Sequence, residues 1–122
     1  MATLPLNKDN FRETYENNDI MIVDFWASWC GPCMNFMPTY EKVSDDFPDV
    51  VFGKVDTEQE PELASHFSIR SIPTLMVIRG GYEVYFNPGA LSEDDLRTLI
   101  NKVKELDMEE VKKTLDAEDP QN

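Results

Sequence analysis

Ile20-Met21-Ile22-Val23-Asp24-Phe25-Trp26 is apolar at odd and even positions alike, the pattern of a central strand covered by helices on both faces. Downstream, Phe36, Tyr40, Val43 and Phe47 recur at spacings of four, three and four, which predicts a helix with one core-facing stripe. Pro38 lies inside that helix and removes an amide from its ladder, so a kink is expected there. Val50 to Asp56 reads as a second strand, parallel to the first because a helix joins them. Pro61 opens a short helix carrying Leu63, Ala64 and Phe67. Thr74 to Ile78 and Glu83 to Phe86 flank Gly80-Gly81, the signature of an antiparallel hairpin, and Asn87-Pro88-Gly89 reads as a turn. Ser92 with Asp95 resembles a capping box, and Leu96, Leu99, Ile100, Val103 and Leu106 form the buried face of the helix it opens.

The ends are weaker. Thr3 to Leu6 suits a short edge strand, where Pro5 is tolerated. Asn7 offers an N-cap to a short helix with Phe11 and Tyr15 on one stripe, ended by Asn17-Asn18-Asp19. Beyond Leu106, Asp107 could cap a further helix carrying Val111 and Leu115, and Ala117 to Asn122 is expected to fray. The order of elements is that of an α/β chain, a mixed sheet with helices on both faces.

The 122 residues fit one domain, and 41% hydrophobic with 29% charged residues is the composition of a soluble globule. Eleven Lys and Arg against 24 Asp and Glu leave a net charge of -13, which repels phosphate backbones and anionic lipid, so neither nucleic acid nor membrane is expected as a partner. The N-terminal residues show no basic and apolar export pattern, which points to a reducing cytoplasm.

Two features then stand out chemically. Asp24 interrupts the apolar strand, and burying it ionised costs several kcal/mol unless a partner or a raised pKa intervenes. Six residues later come Cys30 and Cys33, the two cysteines of the chain, in Trp29-Cys30-Gly31-Pro32-Cys33. Three residues apart at the start of a helix, their sulfurs are neighbours and can open and close a bridge with little backbone motion. Cys30 sits where free helix amides favour an anion, which makes it the candidate nucleophile, with Cys33 as the deeper, resolving thiol. Pro32 suits the first helical turn. The alternative is half a zinc site, but with His66 as the single additional His or Cys the ligand set is one short unless a carboxylate joins.

Val23-Asp24-Phe25-Trp26-Ala27-Ser28-Trp29-Cys30-Gly31-Pro32-Cys33, Pro38, Lys54-Val55-Asp56, Ile69-Arg70-Ser71-Ile72-Pro73-Thr74 and Gly89-Ala90-Leu91 together resemble the thioredoxin family. The resemblance runs from about Ile20 through Leu106 and implies a thioredoxin fold in residues 1-106, with 107-122 an acidic extension forming a short helix or a frayed tail. It implies that Asp24 helps remove the proton from Cys33, and a desolvated carboxylate, with Lys54 on the adjacent strand as ionic partner, is a base usable near neutrality. It also implies that Pro73 is cis, that Ile72 presents its backbone to an extended substrate, and that Trp29, Gly31, Pro32, Gly89 and Ala90 complete the docking surface. Met34 stands where the family often has Lys, and Ser68 and Ser71 stand where glycines are common.

The expected activity is reduction of protein disulfides by dithiol-disulfide exchange, with no resident cofactor or metal. The partners implied are disulfide-containing client proteins and an NADPH-dependent thioredoxin reductase. The alternative is a redox-regulated binding module or docking subunit on the same fold.

Overall fold

The computed structural model describes residues 3–118. Five strands form one sheet in the order β1-β3-β2-β4-β5. β1 (Thr3–Pro5), β3 (Val51–Asp56) and β2 (Ile20–Trp26) run parallel, while β4 (Thr74–Arg79) is antiparallel to β2 and to β5 (Tyr82–Pro88). The continuous apolar run of β2 is explained by its central place. Ile20 and Ile22 enter one core with Phe36, Tyr40 and Val43 of α2 (Gly31–Ser44) and Leu96, Ile100 and Val103 of α4 (Glu93–Glu105). Met21, Val23 and Phe25 enter the other core, with Phe11 of α1 (Phe11–Glu16) and Leu63 of α3 (Pro61–His66) packed there. Each fully buried aliphatic or aromatic side chain stabilises the sheet by about 1.5 to 3 kcal/mol.

The helical stripe in α2 is as expected for Phe36, Tyr40 and Val43, whereas Phe47 lies past the helix end and packs against the same core. The buried Tyr40 hydroxyl lies 2.7 Å from the Gly53 carbonyl and 3.1 Å from that of Ile22, so one donor is shared between adjacent strands. Gly53 itself faces the other core, where a Cβ would approach Leu6 Cγ to 2.9 Å and Cδ1 still more closely. Gly80 and Gly81 both have positive φ, as a two-residue hairpin turn matching strand twist demands.

Several boundaries differ from expectation. Asn7 does not cap α1. Its Oδ1 accepts from the amides of Asp9 and Asn10, closing a turn before the helix, and Asn10 takes the N-cap position without a side-chain cap bond. Asn87 and Pro88 belong to β5, paired with Leu75 and Thr74, because proline is tolerated at the end of an edge strand; the turn begins at Gly89, with φ 105. α2 continues through Pro38 as one helix. Ser92 Oγ accepts from the Asp95 amide and opens α4 as read. Asp107 Oδ1 likewise accepts from Glu109 and Glu110 at the start of α5 (Met108–Glu118). The rest of the tail expected to fray, residues 119–122, lies outside the described residues.

Candidate active site

At the C-terminal end of β2 the chain turns through Ala27 to Trp29 into α2, and Cys30 is the N-cap of that helix. Cys30 and Cys33 are joined in a disulfide with Cα atoms 5.3 Å apart. The sulfur of Cys30 accepts the Cys33 amide at 3.2 Å, one of the orphan donors of the first turn. A helix N-terminus of this kind favours negative charge on a group at its N-cap. Cys30 retains 5% exposure and Cys33 none. Pro32 lies in the first turn of α2, where its missing amide costs no hydrogen bond.

The Ile72-Pro73 peptide is cis, and the Ile72 carbonyl oxygen lies 3.7 Å from the Cys30 sulfur. The Gly89 amide donates to the Pro73 carbonyl at 2.8 Å, which carries the Gly89-Ala90 turn to the proline loop. Trp29 stands 68% exposed beside this surface. A cleft of about 290 Å³ runs between Trp29, Ile69, Arg70 and Ile72. Ile72, distant in sequence, is thus brought against the cysteines, and Gly89 is tied to Pro73, while Trp29, Gly31 and Pro32 flank the cysteines along the chain. A larger open cleft, about 550 Å³, lies at the other end of β2 among Tyr15, Asn17, Asp19 and Gly80, away from the sulfurs.

Asp24 is fully buried and neither carboxylate oxygen has a hydrogen-bond partner. Desolvation raises its pKa from 3.8 to about 7, opposed by the positive charge of Lys54. Lys54 is opposite Asp24 in the parallel register, as the sequence suggests. The expected ion pair between them is not formed. The Lys54 ammonium instead pairs with Glu41 at 3.2 Å, and Glu41 Oε1 also accepts from the Thr3 hydroxyl of the edge strand. Sequence reasoning missed Glu41, because nothing distinguishes it among 24 acidic residues until α2 and β3 are packed together.

Similarity to known proteins adds to this geometry. The thioredoxin family model matches residues 2–102. The chain belongs to the thioredoxin family. It is similar to a putative thioredoxin 2 of Streptomyces coelicolor, 51% identical over 114 residues that cover 93% of this chain and 85% of that one. It is also similar to thioredoxin C-3 of Corynebacterium nephridii, 39% identical over 84% of this chain and 71% of the relative. Among solved structures, a mutant thioredoxin from Halobacterium salinarum superposes with a TM-score of 0.79 at 31% identity, covering 85% of this chain and 92% of that one. The architecture is therefore the thioredoxin fold, and the chain is a thiol-disulfide oxidoreductase that reduces protein disulfides. Its substrates contain disulfides, and thioredoxin-family proteins typically work with a reductase.

Among the described residues, no group of three or more His, Cys, Asp and Glu side chains is placed to hold a metal ion. No helix among them is long and apolar enough to cross a membrane.

Proposed function

We propose that Cys30 is the attacking thiol, that Cys33 resolves the mixed disulfide with Asp24 as its base, and that a cytoplasmic, NADPH-dependent thioredoxin reductase restores the dithiol. The observation that carries this reading is the placement of the pair: Cys30 at the rim of the helix N-terminus, Cys33 behind it, and a partnerless carboxylate on the strand that leads into them.

In the forward cycle the Cys30 thiolate attacks one sulfur of the client disulfide. A Cys30-client S-S bond forms, the client S-S bond breaks, and the departing client thiolate takes a proton from solvent. Cys33 then gives its proton to the Asp24 carboxylate, and its thiolate attacks the Cys30 sulfur. The mixed disulfide breaks, the second client sulfur leaves as a thiolate and takes a proton from solvent, Asp24 returns its proton to solvent, and the Cys30-Cys33 disulfide forms, as the structure has it. Two electrons pass to the client, and two from the reductase reopen the bridge.

Trp29, Gly31, Pro32, Ile72, Pro73, Gly89 and Ala90 bind the client as an extended segment. The exposed Trp29 ring and the Gly89-to-Pro73 hydrogen bond, which holds two of the loops together, support this assignment. Oxidised insulin offered to a Cys33→Ser variant tests the division of labour. A mixed disulfide on a non-reducing gel, released by dithiothreitol and absent with Cys30→Ser, is the expected result; adducts formed equally by both variants would contradict that division.

A further inference from the structure

Lys54 has two carboxylates within its reach and is bound to one of them. Asp24 is its partner in strand register, fully buried and without a hydrogen bond. Glu41 lies on α2, in the turn after Pro38, and its carboxylate holds the Lys54 ammonium at 3.2 Å. The Thr3 hydroxyl donates to the same oxygen and helps fix the rotamer. Both members of the pair are about one-fifth exposed, so their attraction is only partly screened by water. The adjacent Tyr40, bonded to the carbonyls of Ile22 and Gly53, ties this turn of α2 to the two strands that carry Asp24 and Lys54.

We propose that Glu41 is a positioning residue for the resolving step: it holds the Lys54 ammonium away from Asp24 and so sets the strength of the base that serves Cys33. The inference rests on the assignment of Asp24 as that base. Glu41 touches neither sulfur nor client; it acts through Lys54. The charged and titratable groups on the elements round Asp24 are Lys54 and Asp56 of β3, Tyr40, Glu41 and Lys42 of α2, Arg79 of β4 and the two cysteines; Lys42 is exposed and paired with Glu93, and Arg79 donates to the carbonyls of Val103, Lys104 and Leu106. β4 sets Leu75 opposite Asp24, and α4 contributes Leu96 and Ile100 to the adjoining core. Of these groups Lys54, opposite Asp24 in register, is the cation that acts on its carboxyl, and a cation drawn closer to a carboxylate favours its ionised form and weakens it as a base.

The test is Glu41→Gln, which keeps the size and an acceptor oxygen for Thr3 but removes the charge that restrains Lys54. Carbon-13 titration of the Asp24 carboxyl is followed in the oxidised protein, where the cysteines do not titrate. The midpoint is expected to fall by about one pH unit. In a Lys54→Met background the same substitution should leave the midpoint unmoved. An unchanged midpoint in Glu41→Gln, or an equal fall in both backgrounds, overturns the proposal. Stopped-flow measurement of mixed-disulfide resolution then separates the two claims. The acidic limb of its pH profile should move down with the carboxyl, and its plateau should drop. If the carboxyl midpoint moves and the limb does not, Asp24 is not the base, and the role of Glu41 in resolution falls with it.

Discussion

The backbone amide of Cys33 donates to the sulfur of Cys30 across 3.2 Å, so in the proposed cycle the resolving residue also supplies a hydrogen bond to the attacking sulfur. A thiolate at this place is held by the first-turn amides of a 14-residue helix whose first turn carries no acidic side chain.

Selective alkylation of the reduced protein follows. Iodoacetamide should modify Cys30 with a pH midpoint below about 8.5, the value of an unperturbed thiol, while the fully buried Cys33 reacts more slowly. Mass spectrometry of the first adduct checks it. Equal labelling of both cysteines, with a midpoint at or above that of a free thiol, would remove the helix N-terminus from the account.

Asp24 carries a stability cost with a definite sign. Its carboxyl rises from 3.8 to about 7 on folding because burial disfavours the charge. Below about pH 4 both folded and unfolded states are protonated and the group is neutral in effect. As pH rises to about 7 the unfolded chain has already ionised, so stability is lost through that window and stays lost above it. Asp24→Asn should therefore be more stable than the wild type above about pH 7, by on the order of 4 kcal/mol, with the gain shrinking towards about pH 4. Urea unfolding across that range checks it. The same variant should resolve mixed disulfides more slowly at neutral pH.

Much of this arrangement is legible in the sequence. β2 declares itself because a strand buried on both faces has no polar face to alternate with, and Asp24 is conspicuous for the same reason. The cysteine pair needs three-residue spacing and a helix start, both local features. The contact between Gly89 and Pro73 is different: it lies one step past the Thr74-Pro88 pair of the hairpin, and its register depends on the irregularity at Val77 and Ile78, which side-chain pattern does not encode. The family resemblance supplies the cis Ile72-Pro73 bond. The choice of Lys54 between Asp24 and Glu41 lies beyond both. Strand register points to Asp24, and only the packing of α2 over β3 brings Glu41 into competition. Asn7 and Pro88 mislead for a simpler reason: each residue suits a turn, and the backbone uses one to close a turn before a helix and the other to end an edge strand.

Gly53 is needed for space. A methyl group there would press on the buried Leu6 side chain, and Gly53→Ala should destabilise the protein by about 1 to 3 kcal/mol. Thermal unfolding measures it, and combining it with Leu6→Ala in one chain should cost less than the sum of the two changes.

Ser68 holds a left-handed backbone, φ 54, where α3 ends. A Cβ in that region costs about 1 kcal/mol or more, so Ser68→Gly should raise stability by up to about that amount, partly offset by the freer unfolded chain. Chemical denaturation checks the gain, with insulin-reducing turnover expected to stay unchanged.

Insulin reduction with dithiothreitol, and again with NADPH and thioredoxin reductase, addresses the exchange chemistry itself. The wild-type chain should turn over repeatedly in both assays, and Cys30→Ser should lose turnover while keeping the fold by circular dichroism. Normal turnover by Cys30→Ser would contradict catalysis through this pair.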